Sequence, residues 1–183
     1  MGHIDTSPII RGSLWLRPTG EALHQIDEAV RIAHARVGGP RVKPHVSLVN
    51  GIETTDQQAE DRLRKLSLRI APFPVRLGKI GWRHEYYRAF FVEVELSDEL
   101  IAAHRIAHEL FEMNPNEPFE PHVSLVYGDL HEPLQQELAD EIGGRVDGSF
   151  MATIVQLSNA SGDRPIPDWR ALHEQTLGHA KRI

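Results

Sequence analysis

The stretch PHVSLV occupies residues 44–49 and occurs again, letter for letter, at residues 121–126. Each copy contains a histidine followed two positions later by a serine, with valine and leucine at the intervening and following positions. Valine and leucine at this density favour a buried β strand. The sequence therefore predicts two strands that carry the same polar pair.

The spacing of the polar pair places both of its members on one face of the predicted strand. Successive side chains in a strand point to opposite faces, so His45 and Ser47 share one face and Val46 lies on the other. His122 and Ser124 share a face in the same way. The apolar residues can then enter a hydrophobic core while each strand presents an imidazole and a hydroxyl on its opposite face.

The elements around the motif repeat as well. The two histidines are 77 positions apart (122 minus 45), and hydrophobic patterning predicts the order strand, helix, histidine strand, helix, strand in both copies. Helix starts are predicted at Thr19, at Thr54 or Thr55, and at Ser97, because these residue types cap helices well. A last strand is predicted over residues 169–177.

The repeated order predicts an α+β fold in one domain spanning residues 1–183. We expect two pseudo-symmetric lobes of antiparallel sheet flanked by helices, the first formed by about residues 13–82 and the second by about residues 87–177. If the lobes face each other, the two histidine–serine pairs converge in a central cleft. The two copies of the motif then form one site.

Composition and charge narrow the classes of function. The chain has 183 residues, of which 40% are hydrophobic and 25% charged, as in ordinary globular proteins. It has no cysteine, which excludes a thiolate nucleophile, a disulfide and a cysteine metal site. The formal net charge of -6 disfavours a long nucleic acid as ligand. Because no apolar run is long enough to span a bilayer, we expect a cytoplasmic protein without membrane contact.

Two imidazoles that converge with two hydroxyls suit the hydrolysis of a phosphodiester. An imidazole titrates near pH ~6.5, so one histidine can take a proton from water while the other protonates the departing oxygen. The serines can donate hydrogen bonds to non-bridging phosphate oxygens. This chemistry needs neither a metal nor an organic cofactor. A buried polar pair without function is the alternative for either motif alone, and its duplication at matched positions favours the catalytic interpretation.

The paired motif resembles the signature of the two-histidine phosphoesterase superfamily, in which each of two lobes carries His-x-Ser/Thr followed by an apolar residue. The stretches SLWLRP at residues 13–18, PHVSLVYGDL at residues 121–130 and DWRALHEQTLG at residues 168–178 extend the resemblance over nearly the whole chain. Within the superfamily the chain is similar to the small cyclic phosphodiesterases. The resemblance implies the bilobal α+β fold and hydrolysis of either ADP-ribose 1″,2″-cyclic phosphate or a nucleoside 2′,3′-cyclic phosphate.

The resemblance also implies roles for the motif residues. The implied catalytic residues are the two histidines and two serines of the motif: His45, Ser47, His122 and Ser124. We assign His122 as the base that activates water and His45 as the acid that protonates the departing ribose oxygen. The pseudo-symmetry of the two lobes leaves the reverse assignment open.

Three aromatic residues are implied to contact the substrate. Trp15 matches the family's first-strand tryptophan, which lies against the nucleotide, and Tyr127 matches the tyrosine that follows the second motif. Tyr127 has the opposite parity from His122, so it reaches the cleft only if the strand bends or bulges, and core packing is its alternative role. Tyr86 or Tyr87 occupies the hairpin position where relatives place an aromatic residue, and Tyr87 is our choice.

Two alternative functions use the same scaffold. An enzyme acting on RNA ends, as in relatives resembling 2′-5′ RNA ligases, would need a basic surface that follows the nucleic-acid backbone. A non-catalytic nucleotide-binding module would not need a paired acid and base. We expect the partner to be a small cyclic phosphate substrate, with RNA ends as the alternative, and we expect a monomer without a protein partner.

The remaining polar candidates carry less weight. His104 and His108 lie one helical turn apart, but without a third ligand they are interpreted as helix surface rather than as a metal site. Four basic residues can add positive charge at the mouth of the cleft or can be solvated loop residues: Arg41, Lys43, Arg83 and Arg88.

Overall fold

The computed structural model describes residues 7–114 and 118–178, so the ends of the predicted domain at residues 1–6 and 179–183 lie outside the described residues. Within the described ranges the chain forms eight strands and four α helices. In chain order these are β1 (Ile9–Leu16), α1 (Gly20–Val37), β2 (Val46–Thr55), α2 (Asp56–Arg69), β3 (Phe73–Gly81), β4 (Phe90–Val94), α3 (Asp98–Leu110), β5 (His122–Val126), α4 (Glu132–Ile142), β6 (Ser149–Ala152), β7 (Ile154–Ser158) and β8 (Ala171–Thr176). None of these four helices combines the length and the hydropathy that crossing a membrane requires.

The predicted order of elements is confirmed in both copies. The first copy comprises β1, α1, β2, α2 and β3, and the second comprises β4, α3, β5, α4 and the last strand, which Thr153 divides into β6 and β7. The final predicted strand corresponds to β8, which is shorter than residues 169–177. His45 lies one residue before β2 rather than inside the strand.

Side-chain caps begin two helices at the predicted positions. The hydroxyl oxygen of Thr55 accepts a hydrogen bond from the backbone N–H of Gln58 (3.4 Å) at the start of α2. The hydroxyl oxygen of Ser97 accepts from the backbone N–H of Leu100 (3.2 Å) at the start of α3. Thr19 precedes α1, but its side chain makes no capping hydrogen bond. Local residue preference thus predicted where these helices begin.

The strands form one sheet in the order β6-β3-β4-β5-β2-β1-β7-β8. Each pair of neighbouring strands is antiparallel. The two histidine strands, β2 and β5, lie side by side at the centre, where the pair Val46–Val123 joins them. This narrow join divides the sheet into two halves of four strands each, and the predicted α+β fold with two lobes of antiparallel sheet is therefore confirmed.

The lobes do not correspond to the two halves of the sequence. We expected residues 13–82 and residues 87–177 to form one lobe each. Instead, β3 from the first copy pairs with β4 and β6 in the lobe of the second motif. In exchange, β7 from the second copy pairs with β1 in the lobe of the first motif. Hydrophobic periodicity predicts strands but carries no information about which strand pairs with which, and only the topology reveals this exchange.

The apolar residues of both motifs anchor the sheet in the hydrophobic core. Val46, Leu48, Val123 and Leu125 are all buried there. Helix α1 packs against β5, β6 and α4, whereas α2 packs against β2, β7, β8 and α3. The strand faces that carry the histidines and serines point away from this packing, which leaves the polar groups of both lobes free to line a cavity.

Candidate active site

A cavity of about 540 Å³ lies where the two histidine strands meet. Its lining includes all seven residues that the sequence predicted for the site: Trp15, His45, Ser47, Tyr87, His122, Ser124 and Tyr127. The lining therefore draws on both copies of the motif, from β2 and β5, and on the aromatic residues around them. The structure brings the predicted site residues together; their chemical roles stay predictions.

The strand register arranges the four polar residues of the motifs in a compact set. Because Val46 and Val123 are paired in antiparallel strands, His45 lies across from Ser124, and Ser47 lies across from His122. Each histidine thus faces the serine of the other lobe. A ligand held between the strands would be within reach of an imidazole and a hydroxyl from both sides.

His45 is held firmly on two sides. Its Nδ1 is 2.6 Å from the backbone carbonyl oxygen of Lys43, two residues earlier. Its ring stacks on the indole of Trp15, with ring centroids 3.7 Å apart and planes inclined by 13°. Only 7% of the residue is exposed. The imidazole therefore has little freedom to rotate.

His122 is held in the same way but is less enclosed. Its Nδ1 is 2.9 Å from the carbonyl oxygen of Glu120, again two residues earlier. The phenyl ring of Phe91 lies beside it at 5.1 Å between centroids. Glu120 also forms an ion pair with Arg88, which lines the cavity. His122 itself is only half-buried, whereas His45 is buried, so water reaches His122 more readily.

These backbone contacts determine which nitrogen of each ring can act on a ligand. A carbonyl oxygen only accepts hydrogen bonds, so Nδ1 of His45 and of His122 carries the proton in the neutral ring. The Nε2 atom is then unprotonated in neutral imidazole and protonated in imidazolium. Each histidine can therefore exchange a proton with a ligand through Nε2, as a base when neutral and as an acid when charged.

Burial favours the neutral form of both histidines. Desolvation lowers the pKa of His45 to about 3, opposed by the hydrogen bond to the Lys43 carbonyl and reinforced by the nearby charges of Arg17 and His122. Desolvation also lowers the pKa of His122, and the charge of Arg88 acts in the same direction. In the unliganded protein both imidazoles are thus neutral near pH 7, with Nε2 unprotonated.

The lowered pKa of His45 predicts a loss of stability in mild acid. Below the unfolded pKa of about 6.5, the unfolded chain binds a proton that the folded His45 does not, so stability falls as the pH decreases toward the folded pKa. Between pH 7.5 and pH 5 this effect is worth about 2 kcal/mol for one such histidine. The free energy of unfolding, measured with urea, should therefore decrease between pH 7.5 and pH 5 by about 2 kcal/mol more in the unaltered protein than in His45→Gln. His24→Gln, at an exposed position of α1, should behave like the unaltered protein.

The two motif serines differ in their contacts. The hydroxyl of Ser124 donates a hydrogen bond to the backbone carbonyl of Tyr87 (2.9 Å). Ser47 makes no side-chain hydrogen bond within residues 7–114 and 118–178 and is half-buried at the cavity wall. Ser47 can donate directly to a bound phosphate, whereas Ser124 must first turn its hydroxyl away from Tyr87.

A β-bulge brings Tyr127 into the cavity. Phe90 pairs with Val126 and Phe91 pairs with Ser124, so Leu125 is an extra residue in β5 that shifts its alternation by one position. The strand then ends at Val126. The sequence predicts that Tyr127 reaches the cleft only if the strand bends or bulges, and β5 has this bulge. Burial raises the pKa of its hydroxyl, which keeps this group a neutral hydrogen-bonding group.

The other aromatic residues extend the same wall. Of the two hairpin tyrosines, Tyr87 lines the cavity and is 42% exposed, whereas Tyr86 does not line it. Contact of Tyr87 with a substrate stays a prediction. Trp15 is only 1% exposed, and His45 covers one face of its indole. Contact between Trp15 and a nucleotide therefore stays a prediction. What the structure shows is that Trp15 packs against the ring of His45 and supports it.

Sequence reasoning missed one aromatic residue of the cavity. Trp169 lines it and packs against Tyr87 and Tyr127 at centroid distances of 6.1 and 5.9 Å. Its indole N–H donates to the carbonyl of Arg164 (3.1 Å), which fixes the ring. The stretch DWRALHEQTLG contributes to the family resemblance, but hydrophobic patterning predicts Trp169 only as the first residue of a strand. Trp169 follows a turn-rich loop, and because loops often carry binding residues, this position could have indicated a place in the site.

The interpretation of two helix histidines as surface residues was wrong. His104 and His108 are half-buried rather than surface residues, because α3 packs against β2 and Nδ1 of His104 lies 2.8 Å from the carbonyl oxygen of Leu48.

For the four basic residues the sequence left open a place at the cleft mouth or in a solvated loop. Arg88 lines the cavity, and Arg41 and Arg83 are exposed and do not line it. Lys43 donates a hydrogen bond to the carbonyl of Trp169 and lines a different cavity.

Comparison with known proteins agrees with this architecture. The chain is 21% identical over 165 residues to the cyclic phosphodiesterase of Arabidopsis thaliana, an alignment that covers 87% of this chain and 91% of that protein. It is similar to the crystal structure of E. coli LigT complexed with 3′-AMP (TM-score 0.60, 17% identity, 93% of this chain and 99% of that chain covered). It is also similar to TT0787 of Thermus thermophilus (TM-score 0.64, 17% identity, 92% of this chain and 98% of that chain covered).

A match to a family model assigns the chain to a superfamily. The model of the 2′-5′ RNA ligase superfamily matches residues 15–164, which include both histidine motifs and Trp15. The matched region is well over half of the chain and confirms the resemblance to the two-histidine phosphoesterases. The chain belongs to the 2′-5′ RNA ligase superfamily.

Proposed function

We propose that the protein is a metal-independent cyclic phosphodiesterase that hydrolyses a cyclic phosphate on a small nucleotide, using its two histidines as acid and base. The observation that carries this proposal is the matched geometry of His45 and His122. Each is held through Nδ1 by the carbonyl two residues before it, at the wall of one cavity. Family membership and the similarity to a cyclic phosphodiesterase support a phosphoesterase reaction.

The reaction opens the cyclic phosphate between phosphorus and one ribose oxygen. Water attacks phosphorus and gives a proton to Nε2 of His122, the histidine that water reaches more readily. As the bond to the ribose oxygen breaks, Nε2 of His45 supplies the proton that this oxygen takes up. The product is a phosphomonoester with a free ribose hydroxyl: ADP-ribose 1″-phosphate or a nucleoside 2′-phosphate. The two histidines end the step with their protonation states exchanged.

This assignment requires His45 to be protonated when substrate is bound. Its pKa is lowered to about 3 by burial in the unliganded protein. A phosphodiester anion next to the ring favours the imidazolium and raises this pKa. Substrate binding and proton uptake by His45 are therefore linked. His45 becomes the charged imidazolium only when the phosphodiester is bound next to it.

The serines stabilise the charge that develops on the phosphate. As water attacks, negative charge increases on the non-bridging oxygens, and a hydroxyl donor aimed at them lowers the barrier. Ser47, which makes no side-chain hydrogen bond within the described ranges, is one such donor. Ser124 is the second once its hydroxyl turns from the Tyr87 carbonyl to the ligand. The two donors reach the phosphate from opposite strands.

The size and walls of the cavity favour a small nucleotide. A volume of about 540 Å³ falls within the range of pockets that enclose small organic ligands. Tyr87, Tyr127 and Trp169 supply aromatic surface against which a base or ribose can pack. The E. coli relative has been crystallised with 3′-AMP, which is consistent with a nucleotide ligand on this fold.

The rim of the cavity disfavours a long RNA. Arg11 lies on the rim, but its guanidinium is engaged by two carboxylates, Glu53 at 2.8 Å and Asp163 at 3.3 Å. Arg88, the other arginine among the described residues of this lining, pairs with Glu120, so neither arginine is a free cation of the kind that a nucleic-acid backbone requires. The formal net charge of -6 acts in the same direction.

A comparison of substrates tests the proposed function. We expect kcat/KM for a nucleoside 2′,3′-cyclic phosphate or for ADP-ribose 1″,2″-cyclic phosphate to exceed that for an oligonucleotide ending in a cyclic phosphate by roughly tenfold or more. Turnover of the preferred small substrate should change little between about 50 and 200 mM salt, because few phosphates are contacted. Phosphorus NMR of the products identifies which ribose oxygen departs.

Two results would contradict the proposal. Preference for the oligonucleotide, with a steep decrease of kcat/KM as salt is added, would indicate an enzyme acting on RNA ends. Saturable binding of a nucleoside 2′-phosphate, with no turnover of any cyclic phosphate in the panel, would indicate a non-catalytic binding module. Phosphorus NMR measures both quantities, because binding of the nucleoside 2′-phosphate and formation of product can be followed in one sample.

A further inference from the structure

A second cavity of about 370 Å³ shares Trp15 with the candidate active site. It is lined by Arg17, which follows β1, by Gln156 of β7, and by Arg170 and Glu174 near and within β8. None of these four residues lines the first cavity. The second cavity is therefore a separate concavity with its own chemistry, to which the proposed reaction assigns no role.

The lining of the second cavity is predominantly basic. It contains the cations of Arg17, Lys43 and Arg170 and a single carboxylate, that of Glu174, which leaves an excess of two positive charges (three minus one). Arg17 is half-buried and forms no ion pair or side-chain hydrogen bond within residues 7–114 and 118–178. The formal net charge of the chain is -6. Among the described residues two other arginines are half-buried, Arg62 and Arg88, and both have carboxylate partners.

Gln156 adds a neutral polar group at the same place. It is 5% exposed, lies on β7 between Trp15 and Glu174 in the strand register, and lines the cavity. Its side-chain amide makes no hydrogen bond within the described ranges. The amide is not one of the fully enclosed polar groups, because Gln156 lines the cavity, and there a ligand or water can satisfy it. The amide N–H₂ group would complete a set of donors around an anion.

We propose that this second cavity binds a phosphate group, held by Arg17, Lys43, Arg170 and the amide of Gln156. Guanidinium groups match the oxygens of a phosphate with two parallel hydrogen bonds, and lysine adds a point charge. Lys43 is already oriented by its hydrogen bond to the Trp169 carbonyl. Four donor side chains from different elements suit a tetrahedral anion with several acceptor oxygens better than a planar carboxylate.

Occupancy of the second cavity would affect the candidate active site through Arg17 and Trp15. The ring of Trp15 lies between this cavity and His45, on which it stacks at 3.7 Å. The positive charge of Arg17 is one of the causes that lower the pKa of His45. An anion beside Arg17 offsets this charge, so the pKa of His45 rises when the second cavity is filled. Phosphate would thus change the pH dependence of any reaction that uses His45.

The test uses inorganic phosphate and the full-length chain, with indole N–H signals in nitrogen-15 NMR as reporters. To remove the first cavity as a phosphate site, the titration is done on Ser47→Ala/His122→Ala. We expect a saturable shift of the Trp15 signal and no shift of Trp82, which lines neither cavity. In the same background, Arg17→Gln/Arg170→Gln should weaken phosphate binding at least tenfold. Arg31→Gln/Arg145→Gln removes the same charge elsewhere and should bind as before.

Gln156→Leu provides a second variant that keeps the charges and the side-chain size. It should also weaken binding, and its melting temperature verifies that the fold is retained. A comparison of inorganic phosphate with a nucleoside 5′-monophosphate identifies whether the free anion or a phosphoryl group on a larger ligand binds more tightly. Absence of a saturable Trp15 shift, or an equal affinity in Arg17→Gln/Arg170→Gln, would overturn the inference. Because the titration does not depend on turnover, its result is independent of the proposed reaction.

Discussion

Replacing His122 by alanine is expected to lower kcat for the preferred cyclic phosphate by about 10²–10⁴-fold, the usual contribution of a general base. The methyl group cannot take the proton from water, whereas the other residues of the cavity still hold the nucleotide. KM should therefore change much less than kcat, because the loss concerns the transition state more than the bound substrate. Steady-state kinetics near neutral pH, with product followed by phosphorus NMR, measures both parameters.

His24→Ala is the matched control for this measurement. His24 lies on the exposed side of α1 and lines neither cavity, so its removal should leave kcat within about twofold of the unaltered enzyme. The melting temperatures of both variants should be recorded to separate loss of chemistry from loss of fold. Activity of His122→Ala above about a tenth of the original would exclude His122 from an essential proton transfer.

Replacing His45 by glutamine is expected to produce a loss of similar size with the natural substrate and a much smaller loss with an activated one. Glutamine keeps most of the side-chain volume against Trp15 but cannot protonate the departing oxygen. A 3′-deoxynucleoside 2′-(4-nitrophenyl phosphate) releases nitrophenolate, which is stable without a proton and needs no general acid. With this substrate His45→Gln should lose about tenfold or less, whereas His122→Ala should still lose about 10²-fold or more.

This comparison distinguishes the acid from the base in a nearly symmetric site. If the activated substrate restores His122→Ala instead of His45→Gln, the two roles are reversed. If the activated substrate restores the rate of neither variant, departure of the ribose oxygen does not limit the reaction, and His45 is not the acid that protonates this oxygen. Absorbance of nitrophenolate gives the rates directly, and the His24→Ala protein supplies the reference for both substrates.

Local sequence determined much of this protein. Alternation along a strand is a short-range property, so the placement of His45 with Ser47, and of His122 with Ser124, on one face could be predicted from spacing alone. The starts of α2 at Thr55 and of α3 at Ser97 follow from capping by the residues themselves. The duplicated motif then predicted two lobes and a shared cleft, because equivalent strands in a repeated fold occupy equivalent positions.

Only the tertiary structure decided how these pieces meet. The exchange of β3 and β7 between the lobes, the single join at Val46–Val123 and the bulge at Leu125 depend on pairings between distant segments, which hydrophobic periodicity does not encode. The stacking of Trp15 on His45 and the grouping of Arg17 with Gln156 and Arg170 arise from those same pairings. The sequence by itself thus determined which groups this protein can use, and the strand pairing determined which groups act together, because chemistry requires contact in space between residues far apart in the chain.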